Sequence, residues 1–392
     1  MASLNCKALV AGVGPSGLAA AALLAKAGID VICVAPASQE DPRTVALMDP
    51  SLNLLVHLGV WPARLESVSN PLKRLHIIDD TGNMVSAPTL KFAAQELGLQ
   101  SFGWNIPLAH LIPRLREAAQ GFGVHFIESK AASARLDDNH IIITLENAIE
   151  VQAQIAVAAD GVQSVLRKAA GIEVEHWSFD QDALVTQFTH SAAHQDVSTE
   201  WHKRGGPFTT VPMPGHRSSL VWMDKPAAID KLMALSPDAF AAEIQLQNHG
   251  ALGLISKTSP PRSFAMKGIK AKCFAAARTL LVGEAAHVFP PIGAQGLNMS
   301  LRDAAFAAEM IVGANDPGAL HLLAEYDLLR RNDVGPRNTA INLMNRTLLS
   351  ELVSPHLARV AGLTAVATFP MLRGLAMQQG LAPIGNLPLV MR

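Results

Sequence analysis

The chain has 392 residues, 49% of them hydrophobic and 17% charged, enough to bury a large core, and its length predicts two closely joined domains. A net charge of −1 gives no general attraction to nucleic acid and excludes a polyanion-binding role based on bulk charge. Cys6, Cys33 and Cys273 are odd in number, far apart and without a CxxC. That excludes a disulfide or zinc framework and predicts reduced, buried thiols of a cytosolic protein.

In chain order, Cys6 to Ala11 is a short apolar strand, followed by Gly12-Val13-Gly14-Pro15-Ser16-Gly17. Leu18 to Ala27 then reads as a helix closed by Gly28, and Ile29 to Val34 as a second strand. No basic residues precede this apolar start and glycines interrupt it, so it does not read as a signal peptide. Strand, GxGxxG, helix and strand together form a dinucleotide-binding unit. Gly12 permits the tight turn, Gly14 lets a pyrophosphate approach the backbone, and Gly17 lets helix and strand pack closely. The acid expected at the end of the second strand, for the adenosine ribose, is replaced by Ala35, which leaves Glu40 and Asp41 as the nearby carboxylates.

Arg43 to Leu47 follows, with Arg43 placed either to hydrogen-bond a cofactor or to sit as a surface charge. Leu52, Leu55, Val56 and Leu58 mark a helix. Leu75–Asp79 and Met84-Val85 flank an Asp80–Asn83 turn, a hairpin candidate. A helix is expected over Leu108–Ala119, with strands over Val124–Leu136, Ile141–Leu145 and Gln154–Ala159. The last runs into Asp160-Gly161, a turn before a helix with basic residues, able to bind phosphate or ribose or to be only a turn. From Glu173 to Arg262, strand-like runs at Leu184–Thr189, Phe208–Pro212 and Ser218–Met223 predict a mainly antiparallel second domain. His190, His194, His202 and His216 in that segment match no ligand spacing, so no metal site is expected.

The stretch Thr279–Asp303 organises the rest. Leu280 to Val282 is a buried strand ending at Gly283; Glu284, His287, Pro290 and Pro291 follow, then the small-residue loop Gly293–Gly296. Leu297, Leu301, Ala305, Ala308 and Val312 recur at helical spacing, so a helix starts near Gly296–Asn298. A glycine loop leading into a helix start offers free N–H groups and a positive dipole end to an anion, or to a ring that becomes negative during reaction. The chain after this point is helical, and Leu363–Met391 reads as a packed apolar helix or a membrane-surface contact.

These motifs, with Arg43-Thr-x-Ala-Leu47 and Ala159-Asp-Gly-x-x-Ser-x-x-Arg167, resemble the single-component flavin-dependent aromatic hydroxylases that include para-hydroxybenzoate hydroxylase. The chain is most similar to the ubiquinone-biosynthesis hydroxylases among them. The likeness extends to Phe179-Asp180-Gln181, Gly206-Pro207, Val221-Trp222, Tyr326 and Arg330. It implies an α/β fold: a Rossmann-like FAD/NAD(P)-binding domain over 1–70, 100–172 and 274–345, a mainly antiparallel substrate domain over 71–99 and 173–273, and a helical C-terminus over 346–392.

By the same resemblance, Gly12, Gly14, Pro15, Ser16 and Gly17 hold the FAD pyrophosphate. Arg43 lies along the cofactor, and Asp160 and Gly161 sit near the pyrophosphate. Gly283 and Glu284 take the place of the Gly-Asp pair whose carboxylate binds a ribitol hydroxyl. Pro291, Gly293, Gly296, Leu297 and Asn298 line the isoalloxazine. Ala35, Glu284 and Leu108, the last where relatives place a polar flavin contact, depart from the pattern. The implied reaction uses NAD(P)H and O2 to hydroxylate an aromatic ring through a flavin C4a-hydroperoxide, with no catalytic acid, base or metal assigned. The implied substrate is a polyprenyl phenol of ubiquinone biosynthesis, met in a biosynthetic complex or on the inner face of a membrane. The alternatives are a hydroxylase of a small soluble aromatic compound and a weakly FAD-binding, non-catalytic scaffold.

Overall fold

A strand that is apolar on both faces must lie inside a sheet that is itself covered on both sides. In the computed structural model, which describes residues 3–37, 41–137, 139–291, 293–349, 353–381 and 387–392, the strand Ser3–Ala11 does so, with Ala8 to Ala11 buried. It pairs in parallel with Val31–Ala35 on one side and Glu150–Ala158 on the other. Parallel neighbours need a crossover, and the helix Pro15–Lys26 supplies it, buried from Gly17 to Ala25 and rich in alanine, so that it packs close to the strands. His125–Glu128 and Thr279–Leu281 extend the parallel set outward, and antiparallel strands complete an eight-stranded sheet. The single strand expected over Val124–Leu136 is thus two: His125–Glu128 joins the parallel set, while Ala131–Asp137 pairs with His140–Leu145.

The second sheet is nine-stranded and mainly antiparallel, built on the long strand Val174–His190 between Arg217–Asp224 and Arg262–Ala271. Arg74–Asp79 joins its edge and pairs with Leu90–Ala93. The hairpin therefore closes later than the sequence suggests. The Asp79 carboxylate accepts the Thr81 hydroxyl and the Ala87 N–H, both at 2.9 Å, which holds the intervening chain as a loop and leaves Met84 and Val85 exposed. Two further helices, Pro226–Met233 and Pro237–Gln247, cover a core of Leu184, Phe188, Phe208, Trp222, Phe240 and Ile244. A small third sheet of Thr44–Met48, Asn70–Pro71 and Gly103–Pro107 is tied to the second. The Thr44 hydroxyl donates to Ser219 Oγ at 2.9 Å and Asn105 Nδ2 donates to the Pro212 carbonyl at 2.9 Å. Cys6 and Cys33 are buried, with burial pushing both thiols up to about 12; Cys273, in the connection between strands Arg262–Ala271 and Ala275–Ala276, is only half-buried.

Helices Gln295–Val312 and Leu320–Leu349 lock the late strand–loop segment to the first sheet. Asp303 is fully buried, and its Oδ2 accepts the Gly283 N–H at 3.0 Å and His287 Nε2–H at 2.7 Å. Its Oδ1 accepts Arg330 Nε–H at 2.7 Å. Arg330 also pairs with Asp333 at 3.0 Å, which in turn holds Arg302 at 2.7 Å and Arg337 at 3.1 Å. Tyr326 donates its hydroxyl to the Leu281 carbonyl at 2.8 Å. Burial alone would raise the Asp303 pKa; Arg330 and His287 reverse this and hold it below the usual carboxylate value.

Two outcomes follow for stability. Asp303→Ala leaves Arg330 buried without its main partner and should cost about 3–5 kcal/mol, read as a lowered Tm. Burial pushes the Asp333 carboxyl up, but Arg330 and Arg302 bring it down from 3.8 to about 2. A depressed folded-state pKa contributes stability above the unfolded value that is lost as pH falls through the folded one. Urea unfolding should therefore lose about 2 kcal/mol between about pH 4 and about pH 2, and Asp333→Asn should flatten that interval. An unchanged slope in the variant would exclude the ion pair as the cause.

Candidate functional site

The glycine turn separates two physical roles within six residues. Gly12 donates its N–H to the Val34 carbonyl at 2.8 Å and has φ +118°, where a Cβ would stand 2.1 Å from the Ala159 carbonyl oxygen. A Cβ on Gly17 would stand 2.2 Å from the Gly12 carbonyl oxygen. Both positions are closed by backbone. Gly14 is the opposite: no atom lies within 4 Å of where its Cβ would be. It sits at the start of helix Pro15–Lys26, which has Pro15 in its first turn, no side-chain cap and no acid there. The first N–H groups of that helix and its positive dipole end thus border an open space. An open position facing a positive helix end is one where an anion is stabilised.

Asp160 stands directly behind this turn, its chain held by the Ala159 N–H donating to the Ala11 carbonyl at 2.8 Å. Its Oδ2 accepts the Val165 N–H at 2.8 Å and so starts helix Val165–Ala169, while its Oδ1 is buried and has no hydrogen-bond partner among the described residues. Gly161 has φ +78° with open space at its Cβ position. Arg167 is buried and donates to the Ala285 carbonyl at 2.8 Å, tying this turn to the late segment. At the ribose end, Ala35 is buried and paired in register with Glu128, which is exposed. Asp41 is turned onto Arg43, accepting from its Nε at 2.9 Å, and so is not aimed at a ribose. Glu40 lies outside the described residues.

Gly283, at φ +62°, brings the late segment against the first turn, since a Cβ there would lie 2.9 Å from Ser16 Oγ. Glu284 beside it is exposed, and together with Asp41, the stronger influence, it raises the pKa of Arg43. His287 is buried, bonded to Asp303 and stacked on Phe289 at 5.0 Å, so it is a strut of the fold. Pro291, Gly293 and Gly296 are exposed and Leu297 is half-buried, forming a ridge at the start of helix Gln295–Val312. Gly293 and Ala294 are both left-handed, at φ +64° and +54°, and the helix has no side-chain cap and no acid in its first turn. Asn298 is buried and fully engaged. Its Oδ1 accepts the Met48 N–H at 2.9 Å and the Ser51 hydroxyl at 2.7 Å; its Nδ2 donates to the Ala46 carbonyl at 2.8 Å. Its side chain therefore has no donor left for a ligand. Leu108 is buried and donates its N–H to the Arg43 carbonyl at 2.9 Å, so it fixes the Arg43 backbone without offering a polar side chain.

Sequence reasoning placed Tyr326 and Arg330 on a charged helix face over Glu325–Arg331 and otherwise named them only through resemblance, whereas both are fully buried against Asp303 and Leu281; it assigned Asp303 no role. The available signal was a charged residue on the apolar stripe of a helix, where it must have a buried partner. The histidines expected to be scattered are partly gathered: the His190 ring lies 5.7 Å from His194 and 6.1 Å from His216, because the turn after Val174–His190 folds back beside Arg217–Asp224. Their nitrogens bond backbone and Ser218, and no group of three potential ligands that could hold a metal occurs among the described residues. A cavity of about 460 Å³ lined by Asp80, Lys203, Arg204, Trp222, Asp224 and His249 contains none of the residues above. Its Lys203 is paired with Asp80.

The chain is 29% identical over 389 residues to ubiquinone hydroxylase UbiL from Rhodospirillum rubrum, covering 96% of this chain and 89% of that one. It is 26% identical to the 3-demethoxyubiquinol 3-hydroxylase of Escherichia coli, over 88% of each chain. The fold matches that of p-nitrophenol 4-monooxygenase from Pseudomonas putida with a TM-score of 0.77 at 17% identity, covering 98% of this chain and all of that one, 100%. A family model described as an FAD binding domain matches residues 5–335, which include all three glycine segments, and the chain belongs to that family.

Proposed function

We propose that this protein is an FAD-dependent monooxygenase that uses NAD(P)H and O2 to hydroxylate an aromatic ring, and that its substrate is a polyprenyl phenol intermediate of ubiquinone biosynthesis. One observation carries the reading. The GxGxxG turn and the Gly283–Asp303 segment, from opposite ends of the chain, meet at Ser16 and Gly283, each presenting an uncapped helix start beside open glycines. A cofactor with a pyrophosphate at one end and a ring that becomes anionic on reduction needs positive ends at two such points.

On this reading Gly14, Pro15, Ser16 and Gly17 hold the pyrophosphate, backed by Gly12, Asp160 and Gly161. Arg43, kept charged by Asp41, lies along the cofactor with Glu284 near the ribitol. Pro291, Gly293, Gly296 and Leu297 border the ring, and the backbone at Asn298 stabilises negative charge on it. FAD, when bound, supplies electron transfer and oxygen activation. The protein's part is to bind, orient the aromatic ring and exclude water, which needs no side-chain base at the chemistry. The buried, bonded state of His287 agrees with that. The names of the two relatives, both hydroxylases of ubiquinone or its precursors, support a lipid-like substrate.

Gly14→Val should leave the fold intact, because the space is open, yet raise the Kd for FAD by tenfold or more by occupying the pyrophosphate position; flavin fluorescence quenching and circular dichroism read the two effects separately. Gly12→Ala should instead unfold the protein or cost about 3 kcal/mol or more, since its Cβ meets backbone. The purified protein with FAD and NAD(P)H should insert one labelled oxygen atom from O2 into a short-chain prenylated phenol held in detergent, detected by mass spectrometry. Turnover of a soluble hydroxybenzoate alone would overturn the substrate class. A protein that takes up no FAD would instead be a scaffold.

A further inference from the structure

A surface helix of a water-soluble protein turns its apolar stripe inward and its charges outward. The C-terminal pair Val353–Thr368 and Pro370–Leu381 reverses the second half of that rule. From Leu357 to Leu381 the only charged residues are Arg359 and Arg373, and both are ion-paired with carboxylates of the neighbouring sheet and its flanking turn. Arg359 donates to the Asp79 carboxylate at 3.0 Å. Arg373 donates to Glu96 at 2.6 Å and to the Lys91 carbonyl, with its guanidinium 4.6 Å from the Phe92 ring centroid. Leu363, Val366 and Met377 pack beneath, on Leu90 and Phe92 at the edge of the second sheet. The outer face keeps Leu357, Phe369, Met371, Leu372 and Leu375 exposed, Phe369 by 57% and Met371 by 80%. The Asp79 anchor that holds Arg359 also holds the loop carrying Met84, whose side chain is fully exposed.

We infer that this outer face docks on the surface of a lipid bilayer, with the two helices lying in the plane of the interface. No single helix among the described residues is long and apolar enough to cross a membrane. Together the segments Leu357–Thr368 and Pro370–Gln378 have that length and composition, but they are bent by 102° at Thr368–Pro370. A span needs a straight run, whereas a bent pair can put both apolar faces at one depth of the headgroup boundary. Lipid is the occupant that suits a face with every charge withdrawn; a protein partner would leave a rim of polar groups to be matched. With Arg359 committed to the buried Asp79 and Arg373 ion-paired with Glu96, the attraction is apolar, so it does not require anionic lipid. The inference deepens the proposed lipid-like substrate by naming where the protein meets its source, but its geometry stands without that reading.

The test is co-sedimentation of the FAD-loaded full chain with pure phosphatidylcholine vesicles. Binding is expected, little weakened by salt, with Phe369→Glu and Met371→Glu each lowering the partition coefficient about tenfold or more. Leu320→Glu, at a leucine 83% exposed at the far end of helix Leu320–Leu349, should leave it unchanged and serves as the control. No vesicle binding by the wild type, equal loss in all three variants, or self-association that Met371→Glu breaks without any vesicle binding would overturn the inference. Product formation in detergent separates the two readings: turnover without vesicle binding removes the docking face alone, and vesicle binding without turnover removes the substrate reading alone.

Discussion

One buried carboxylate holds the candidate site in shape. Asp303, on helix Gln295–Val312, receives a backbone N–H from Gly283, a ring N–H from His287 and the Arg330 guanidinium, so one carboxylate ties its own helix to the Gly283–His287 segment and to helix Leu320–Leu349. A buried carboxylate lacking any of them would face a desolvation cost of several kcal/mol, so the three segments are constrained to converge. Gly283, just past strand Thr279–Leu281, is thereby fixed against Ser16, and Asn298 anchors the start of helix Gln295–Val312 to Met48. Loops need such support when they must present backbone N–H groups at a defined place.

The electrostatics of the site depend on what is missing from two helix starts. Helices Asp49–His57 and Pro237–Gln247 carry Asp49 and Asp238 in the first turn, which neutralises the dipole, whereas Leu108–Gly121 and Pro226–Met233 have neither an acid nor a side-chain cap. Helices Pro15–Lys26 and Gln295–Val312 have neither an acid nor a side-chain cap there. Each leaves a partial positive charge and unsatisfied N–H groups, a local cost in the free protein that an anionic ligand would relieve. The left-handed Ala294 adds strain at the same joint, where an alanine is less comfortable than a glycine. Destabilising features of this kind collect at binding surfaces.

Much of this was legible in the sequence, and the part that was not has physical reasons. The βαβ unit could be read because glycine spacing and apolar runs are local, and the structure closes the Cβ positions of Gly12 and Gly17 with backbone while leaving that of Gly14 open. The Asp303–Arg330 pair was opaque because partners 27 residues apart leave no local signature, although Arg330 and Asp333 stand at i,i+3 helical spacing. The helices Pro226–Met233 and Pro237–Gln247 did announce themselves, each with proline in the first turn and one with a serine cap donated to by Ala239, but they were outweighed by the strand-like runs on either side. The Met84–Val85 arm failed because alternation alone cannot tell a strand from a loop whose apolar residues stay outside.

The same helix that carries Arg330 also connects the site to the second sheet. Asn345, near its end, donates to Gln181 Oε1 at 3.0 Å, and Gln181 Nε2 donates to the Gly205 carbonyl at 2.7 Å, closing the loop between Val197–His202 and Pro207–Met213. Gly206 must be a glycine there, for a Cβ would meet the Gln181 amide at 2.5 Å. At the other side, Thr44 and Asn105 join the small third sheet to the second through Ser219 and Pro212, and Asn298 joins that third sheet to the start of helix Gln295–Val312. The glycine loop and the antiparallel sheet are therefore parts of one hydrogen-bonded frame, linked at both ends. The C-terminal helices are riveted to the outer edge of that same sheet through Asp79 and Glu96. A load applied to their exposed apolar face is carried by the sheet that borders the site, so whatever holds that face also fixes the orientation in which the site meets its substrate.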